Sequence, residues 1–135
     1  LGISHMVTFA GYREDILKIL QTADLFLFPS YQEGLPMALL EAMASGLPVI
    51  CSDIRGSRDL MGDILSQNGS ISLCSGGIMV KKADDAAAYS KAIRHLLNRS
   101  ENLKNLGREN INKSKMFYSN IVIEKMEKIY QRVLT

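Results

Sequence analysis

The sequence predicts an α/β domain, a parallel sheet with helices on both faces. Three observations point there. Short β-prone apolar runs alternate with helical stripes through the first half, an order that builds parallel sheets. The run Leu25-Phe26-Leu27-Phe28 is unbroken, as in a strand buried on both faces. At 135 residues, 47% apolar and 22% charged, the chain matches one globular unit. No apolar stretch approaches the roughly 20 residues of a membrane-spanning helix. Two cysteines, Cys51 and Cys74, make no disulfide framework, and with His5 and His95 far apart no metal site is expected.

Each element has its own signal. Residues 6–10 (MVTFA) are a β-prone run stopped by Gly11, so a strand is predicted. Residues 13–22 set Ile16, Leu17, Ile19 and Leu20 on a helical stripe. Leu25 to Phe28, closed by Pro29, is the next strand. Residues 37–45 form a short helix, apolar nearly all round and therefore buried. Pro36 suits its first turn, Gly46 falls at the C′ position, and Pro48 follows. Val49, Ile50 and Cys51 make another strand, and residues 53–62 a loop with a short helix.

The pattern weakens through residues 63–83. Residues 71–73 and 78–80 read as short strands, with turns at Asn68-Gly69 and Gly76-Gly77. Asp84 or Asp85 can cap a helix reaching Leu97, with Ala87, Ala88, Ala92, Ile93, Leu96 and Leu97 inward. Residues 101–115 are weakly helical. Residues 120–134 carry Val122, Met126, Ile129, Tyr130 and Val133 on one stripe of an amphipathic helix.

The net charge of +2 is unevenly placed. Residues 1–80 hold 4 Lys/Arg and 8 Asp/Glu, a balance of −4, and residues 81–135 hold 12 and 6, a balance of +6. A basic half can meet an anionic partner. Solvated helix faces explain it more simply, so no nucleic acid is expected.

The chemistry concentrates in residues 23–61. In open α/β sheets ligands bind beyond the carboxyl ends of the strands. Residues 29–35 are the loop at such an end and lead into a helix N-terminus. There the amides of Gly34, Leu35 and Met37 are free donors for a phosphate or a sugar hydroxyl. Gly34 lets a ligand approach its backbone. Glu33 lies in the loop and Glu41 within the apolar helix, where a carboxylate needs a partner. A hydroxyl-bearing ligand is one candidate. Alternatively, Glu33 is an exposed loop acid, and Glu41 caps a backbone or pairs with Arg55 or Arg58.

The segment Phe28-Pro29-Ser30, Glu33-Gly34, Glu41-Ala42-Met43-Ala44, Gly46 and Pro48-Val49 resembles the signature of glycosyltransferase family 4. Those enzymes are retaining transferases of the two-lobed GT-B fold, whose lobes hold Rossmann-like parallel sheets. The E-x7-E motif of that family falls on Glu33 and Glu41. Val7, Phe9 and Gly11 resemble the preceding strand and turn. Ala23-Asp24, Ser52-Asp53, Gly56 and Asp59-Leu60 also fit. Gly77-Ile78-Met79-Val80 is similar to a later N-G-x-L-V, with Gly76 where Asn is usual.

The resemblance implies roles. Glu33 would be the catalytic residue, binding donor-sugar hydroxyls and orienting the reacting carbon. Glu41 would bind the ribose hydroxyls of the nucleotide. The amides of Gly34, Leu35 and Met37 would meet sugar and diphosphate. Ser30 and Tyr31 would line the pocket, and Gly11, Tyr12 and Arg13 would lie near the base. The nucleotide sugar is then a substrate, and neither cofactor nor metal is implied. A fixed carboxylate and fixed amides can stabilise the charges that build as the anomeric bond breaks.

Further expectations concern the whole protein. The chain opens on Leu1 and its first element looks cut into, so residues 1–135 are expected to be part of a truncated C-terminal, donor-binding lobe. The family's diphosphate-neutralising Lys and Arg would precede Leu1, and the acceptor lobe would be missing. The fragment alone would be inactive. The acceptor would be a glycan, lipid or small molecule. Location would be cytoplasmic, with peripheral association at the inner membrane face through the parent. The last helix would pack on the missing lobe, self-associate, or pack on its own core. A longer, more polar stretch at 63–75 bears on the pocket edge. The alternatives are a non-catalytic nucleotide- or partner-binding α/β module, and a nucleotide-sugar epimerase, which the Glu33/Glu41 spacing disfavours.

Overall fold

Five strands form one sheet in a computed structural model that describes residues 2–99 and 102–134. They are β1 (Phe26–Phe28), β2 (Val49–Ser52), β3 (Ile64–Asn68), β4 (Ile71–Cys74) and β5 (Gly77–Val80), in the order β1-β2-β5-β4-β3. β1 pairs with β2 and β2 with β5 in parallel, whereas β5–β4 and β4–β3 are antiparallel. The predicted parallel α/β sheet is therefore present, extended by an antiparallel meander. That meander holds the predicted strands near 71–73 and 78–80, joined by tight turns. β3 has no counterpart in the prediction. Every residue of it is exposed, so it carries no apolar alternation.

The helices are α1 (Ile16–Thr22), α2 (Met37–Ala44), α3 (Arg55–Met61), α4 (Ala86–Leu97), α5 (Leu103–Ser114) and α6 (Ser119–Leu134). They do cover both faces. On one face Val49, Cys51 and Met79 pack with Leu39 and Met43 of α2 and Leu60 and Met61 of α3. On the other, Ile50, Ile78 and Val80 pack with Ala88, Tyr89, Ala92 and Leu96 of α4. Alternate residues of the central strands thus feed opposite cores, as the pleat requires.

Asp85 caps α4, its Oδ1 accepting from the Ala88 N–H at 2.9 Å. α2 ends with Ser45 at the C-cap and Gly46 at φ +80°, a conformation glycine adopts without a Cβ clash. Asn110 of α5 is fully buried and donates through Nδ2 to the carbonyls of Leu47 (2.7 Å) and Gly76 (2.8 Å). One side chain thereby ties α5 to the loop before β2 and to the turn before β5.

Several expectations are corrected. Residues 7–10 form no strand. A 3₁₀ turn occupies Ser4–Met6, Val7 is extended, and Phe9 is 94% exposed, with no ladder partner among the described residues. β1 is an edge strand rather than one buried on both faces, and Leu27 is 44% exposed. α2 is not buried all round, because Met37, Ala38, Glu41 and Ala44 face outward. Pro36 is its N-cap instead of lying in its first turn. In α4, Ala87 and Leu97 are exposed, and Tyr89 takes an inward position the prediction omitted. The predicted helix at 101–115 is α5, and position 101 lies outside the described residues. α6 spans the predicted stripe but buries none of it.

Candidate functional site

The loops after β1 and β2 meet at the carboxyl edge of the sheet, because those strands are parallel neighbours. The meeting makes a cleft of about 690 Å³ lined by Tyr31, Gln32, Glu33, Gly34, Ile54, Arg55 and Asp59. Its floor depends on Gly56. A Cβ there would lie 2.6 Å from the Gly34 carbonyl and 2.9 Å from that of Glu33. The missing side chain is what lets the first turn of α3 press against the backbone that carries Glu33.

Glu33 is half-buried, and its Oε1 accepts from the Ser30 hydroxyl at 2.8 Å. The Ser30 carbonyl in turn accepts from the Ser52 hydroxyl at the end of β2. Asp53 fixes the next residues, its Oδ1 taking the Arg58 Nε–H at 2.5 Å. That carboxylate pushes the Arg58 guanidinium further up. Arg58 is thus engaged, and Arg55 is the basic residue that lines the cleft among those described. With Glu33 and Asp59 also lining it, the cleft is acidic on balance.

The amides of Gly34, Leu35 and Met37 donate to no acceptor among the described residues. Leu35 and Met37 are exposed, and Glu41 stands one turn beyond Met37 on the same outward face of α2. Glu41 is therefore exposed rather than buried, and neither Arg55 nor Arg58 pairs with it. It does not line the Glu33 cleft.

Tyr12 and Arg13 lie elsewhere, in a second cleft of about 440 Å³ with Glu14 and Asp15, next to the Gly11 turn. Arg13 is committed to Asp15 by two hydrogen bonds of 2.8 and 2.7 Å, which hold the Asp15 carboxyl below its ordinary range. The structure thus brings Tyr31, Glu33 and Gly34 together, sets Ser30 behind Glu33, and keeps Gly11, Tyr12 and Arg13 apart. Gln32, Ile54, Arg55 and Asp59 are cleft residues that the sequence reading did not assign. The usable signal was position, since residues 54–59 follow the carboxyl end of β2 as residues 29–35 follow that of β1. Among the described residues no group of three His, Cys, Asp or Glu side chains could hold a metal ion.

Comparison with known proteins gives the following. The family model described as "Glycosyl transferases group 1" matches residues 1–99. EpsD of Bacillus subtilis (strain 168), a glycosyltransferase by its name, is 34% identical over 130 residues, 96% of this chain and 31% of that protein. The N,N'-diacetylbacillosaminyl-diphospho-undecaprenol alpha-1,3-N-acetylgalactosaminyltransferase of Campylobacter jejuni subsp. jejuni is 31% identical over 131 residues, 97% of this chain and 32% of that protein. Among solved structures, sucrose-phosphate synthase from Thermosynechococcus elongatus matches with a TM-score of 0.77 at 24% identity, over 98% of this chain and 31% of that one. This last likeness speaks to the fold. The chain spans about a third of the length of these relatives.

Proposed function

The chain belongs to the group 1 glycosyl transferases, and on that premise we propose that it is the distal part of the donor-binding lobe of a retaining, family 4 transferase of the GT-B fold. The whole protein moves a sugar from a nucleotide donor to a glycan or lipid-linked acceptor. The carrying observation is Glu33, held by a hydrogen bond at the rim of a cleft at the carboxyl edge of parallel strands. In this reading Glu33 and the Gly34 amide meet the donor sugar, and Tyr31 and Arg55 close the cleft around it. Glu41 reaches the ribose from the outward face of α2, alongside the amides of Leu35 and Met37. Gly11, Tyr12 and Arg13 approach the base from the second cleft.

Charge supports the view that residues outside this chain complete the site. Of the basic residues in positions 1–80, Arg13 and Arg58 are paired with carboxylates. A diphosphate needs more cation than Arg55 supplies beside Glu33 and Asp59. The 135-residue chain is accordingly inactive by itself. In the parent the acceptor site, and any association with the inner membrane face, belong to the remainder. No described helix is long and apolar enough to cross a membrane.

Two measurements test this reading. Titration calorimetry with UDP, GDP and ADP sugars should find weak binding by one donor class, lost in Glu41→Ala. In the full-length polypeptide Glu33→Ala should lower turnover by roughly a hundredfold or more while leaving the urea midpoint nearly unchanged. Robust turnover by residues 1–135 alone, or an unaltered rate in Glu33→Ala, would overturn it. Nucleotide binding that survives with no turnover in the full-length polypeptide would favour a non-catalytic module.

A further inference from the structure

One hydroxyl stands behind the Glu33 cleft, that of Ser30. It does not line the cleft. A serine hydroxyl has one proton to donate. Two acceptors are in range, Glu33 Oε1 at 2.8 Å and the Gln32 carbonyl at 3.5 Å. The nearer, charged acceptor takes it. The backbone of Ser30 is itself fixed, since its carbonyl accepts from Ser52, a residue 1% exposed at the end of the fully buried strand β2. Two hydrogen bonds, joined through the backbone of Ser30, thus link the buried carboxyl end of β2 to the carboxylate. Glu33 Oε2 has no such bond among the described residues.

We propose that Ser30 is a positioning residue for Glu33, its hydroxyl, anchored through Ser52, holding the carboxylate in one rotamer with Oε2 presented to the donor sugar. This rests on the reading of the cleft as the donor site. The physical reason is that a glutamate has three rotatable side-chain bonds. An unrestrained carboxylate must be ordered in each catalytic cycle, whereas one locked by a supporting shell is already in place. The clamp acts on orientation, so it should be felt in turnover more than in donor binding.

Two experiments separate this role from a structural one. In residues 1–135, the Hα–Hβ couplings of Glu33 should report a single rotamer in the wild type and rotamer averaging in Ser30→Ala. Equal couplings in the two proteins would overturn the proposal without any assay of activity. In the full-length polypeptide, Ser30→Ala should lower kcat roughly tenfold or more, with donor KM changed by less than about twofold. Ser30→Thr should recover most of the rate. In a Glu33→Ala background, which removes the acceptor altogether, Ser30→Ala should cost nothing further, the sign of two residues acting as one unit. An undiminished rate in Ser30→Ala, or the same loss with and without the Glu33 carboxylate, would overturn it. If Glu33→Gln alone leaves the rate unchanged, the donor-site reading fails instead, a result distinct from either.

Discussion

Gly56 controls the site through the space a side chain would fill. The nearest atoms to an added Cβ are backbone oxygens, those of Gly34 and Glu33, at 2.6 and 2.9 Å. Backbone cannot swing aside as the end of a lysine can, so Gly56→Ala must move either the loop or α3. Overpacking of this kind costs about 1–3 kcal/mol. The expected outcome is a lower urea midpoint and, on the proposed reading of the cleft, weaker donor binding, since the displaced carbonyls are those of cleft residues. A stable Gly56→Ala protein with unchanged binding would mean the loop is slack. At this scale the sequence was partly legible. Glu33 and Gly34 lie in the loop between β1 and α2, where the alternation of strand and helix put them. Glu41 did not behave as its neighbours suggested, because a helix of eight residues can bury Leu39, Ala42 and Met43 and still leave one face outward. Gly76 has a physical account as well, for a Cβ there would lie 1.8 Å from Asn110 Oδ1. The side chain of Asn110, distant in sequence, fills the space that a larger residue would need.

Among the strands, legibility followed burial. β2 was readable because all four of its residues are buried and apolar or small. β1 looked equally apolar, yet it is an edge strand, and nothing local in Leu25 to Phe28 distinguishes an edge from a centre. β3 is exposed throughout and left no pattern. The buried centre also sets a pH dependence. Burial pushes the Cys51 thiol up to about 12, against an ordinary value of 9.0. Above pH 9 the unfolded chain releases the proton and the folded chain retains it. The folded state then binds more protons, so stability falls as pH rises. For Cys51 the slope approaches about 1.4 kcal/mol per pH unit between the two values. A Cys51→Ala variant lacks this dependence and carries only a constant cavity cost. Urea unfolding of both proteins at pH 8 and pH 10.5 should therefore find their stabilities converging at the higher pH. Parallel behaviour would mean that the thiol is reached by water. Cys74, pushed up to about 11 chiefly by burial, adds to the wild-type trend in the same direction.

The molecule as a whole separates its charges and leaves one helix uncovered. The acidic portion, residues 1–80, holds the Glu33 cleft, and the basic portion ends in α6. α6 has a regular apolar stripe, which made it legible as a helix. What the stripe faces was not legible, since an amphipathic pattern says that a face is to be covered and not by what. In the structure Ile129 is 59% and Val133 77% exposed, and no residue of the helix is buried. Its main packing is against the turn at Lys115–Phe117. The stripe therefore contributes little to the stability of these 135 residues, while its apolar area favours association with another surface. Ile129→Lys separates the two effects. The urea midpoint should shift by no more than about 0.5 kcal/mol equivalent, as for surface substitutions generally. Sedimentation at rising concentration should find the wild type associating and the variant less so, because each copy would bury a charge in the contact. A large drop in the midpoint would place Ile129 in the domain's own core. A wild type that stays monomeric throughout would mean that α6 does not pair with itself. The stripe would then be left for a surface other than a second copy of this chain.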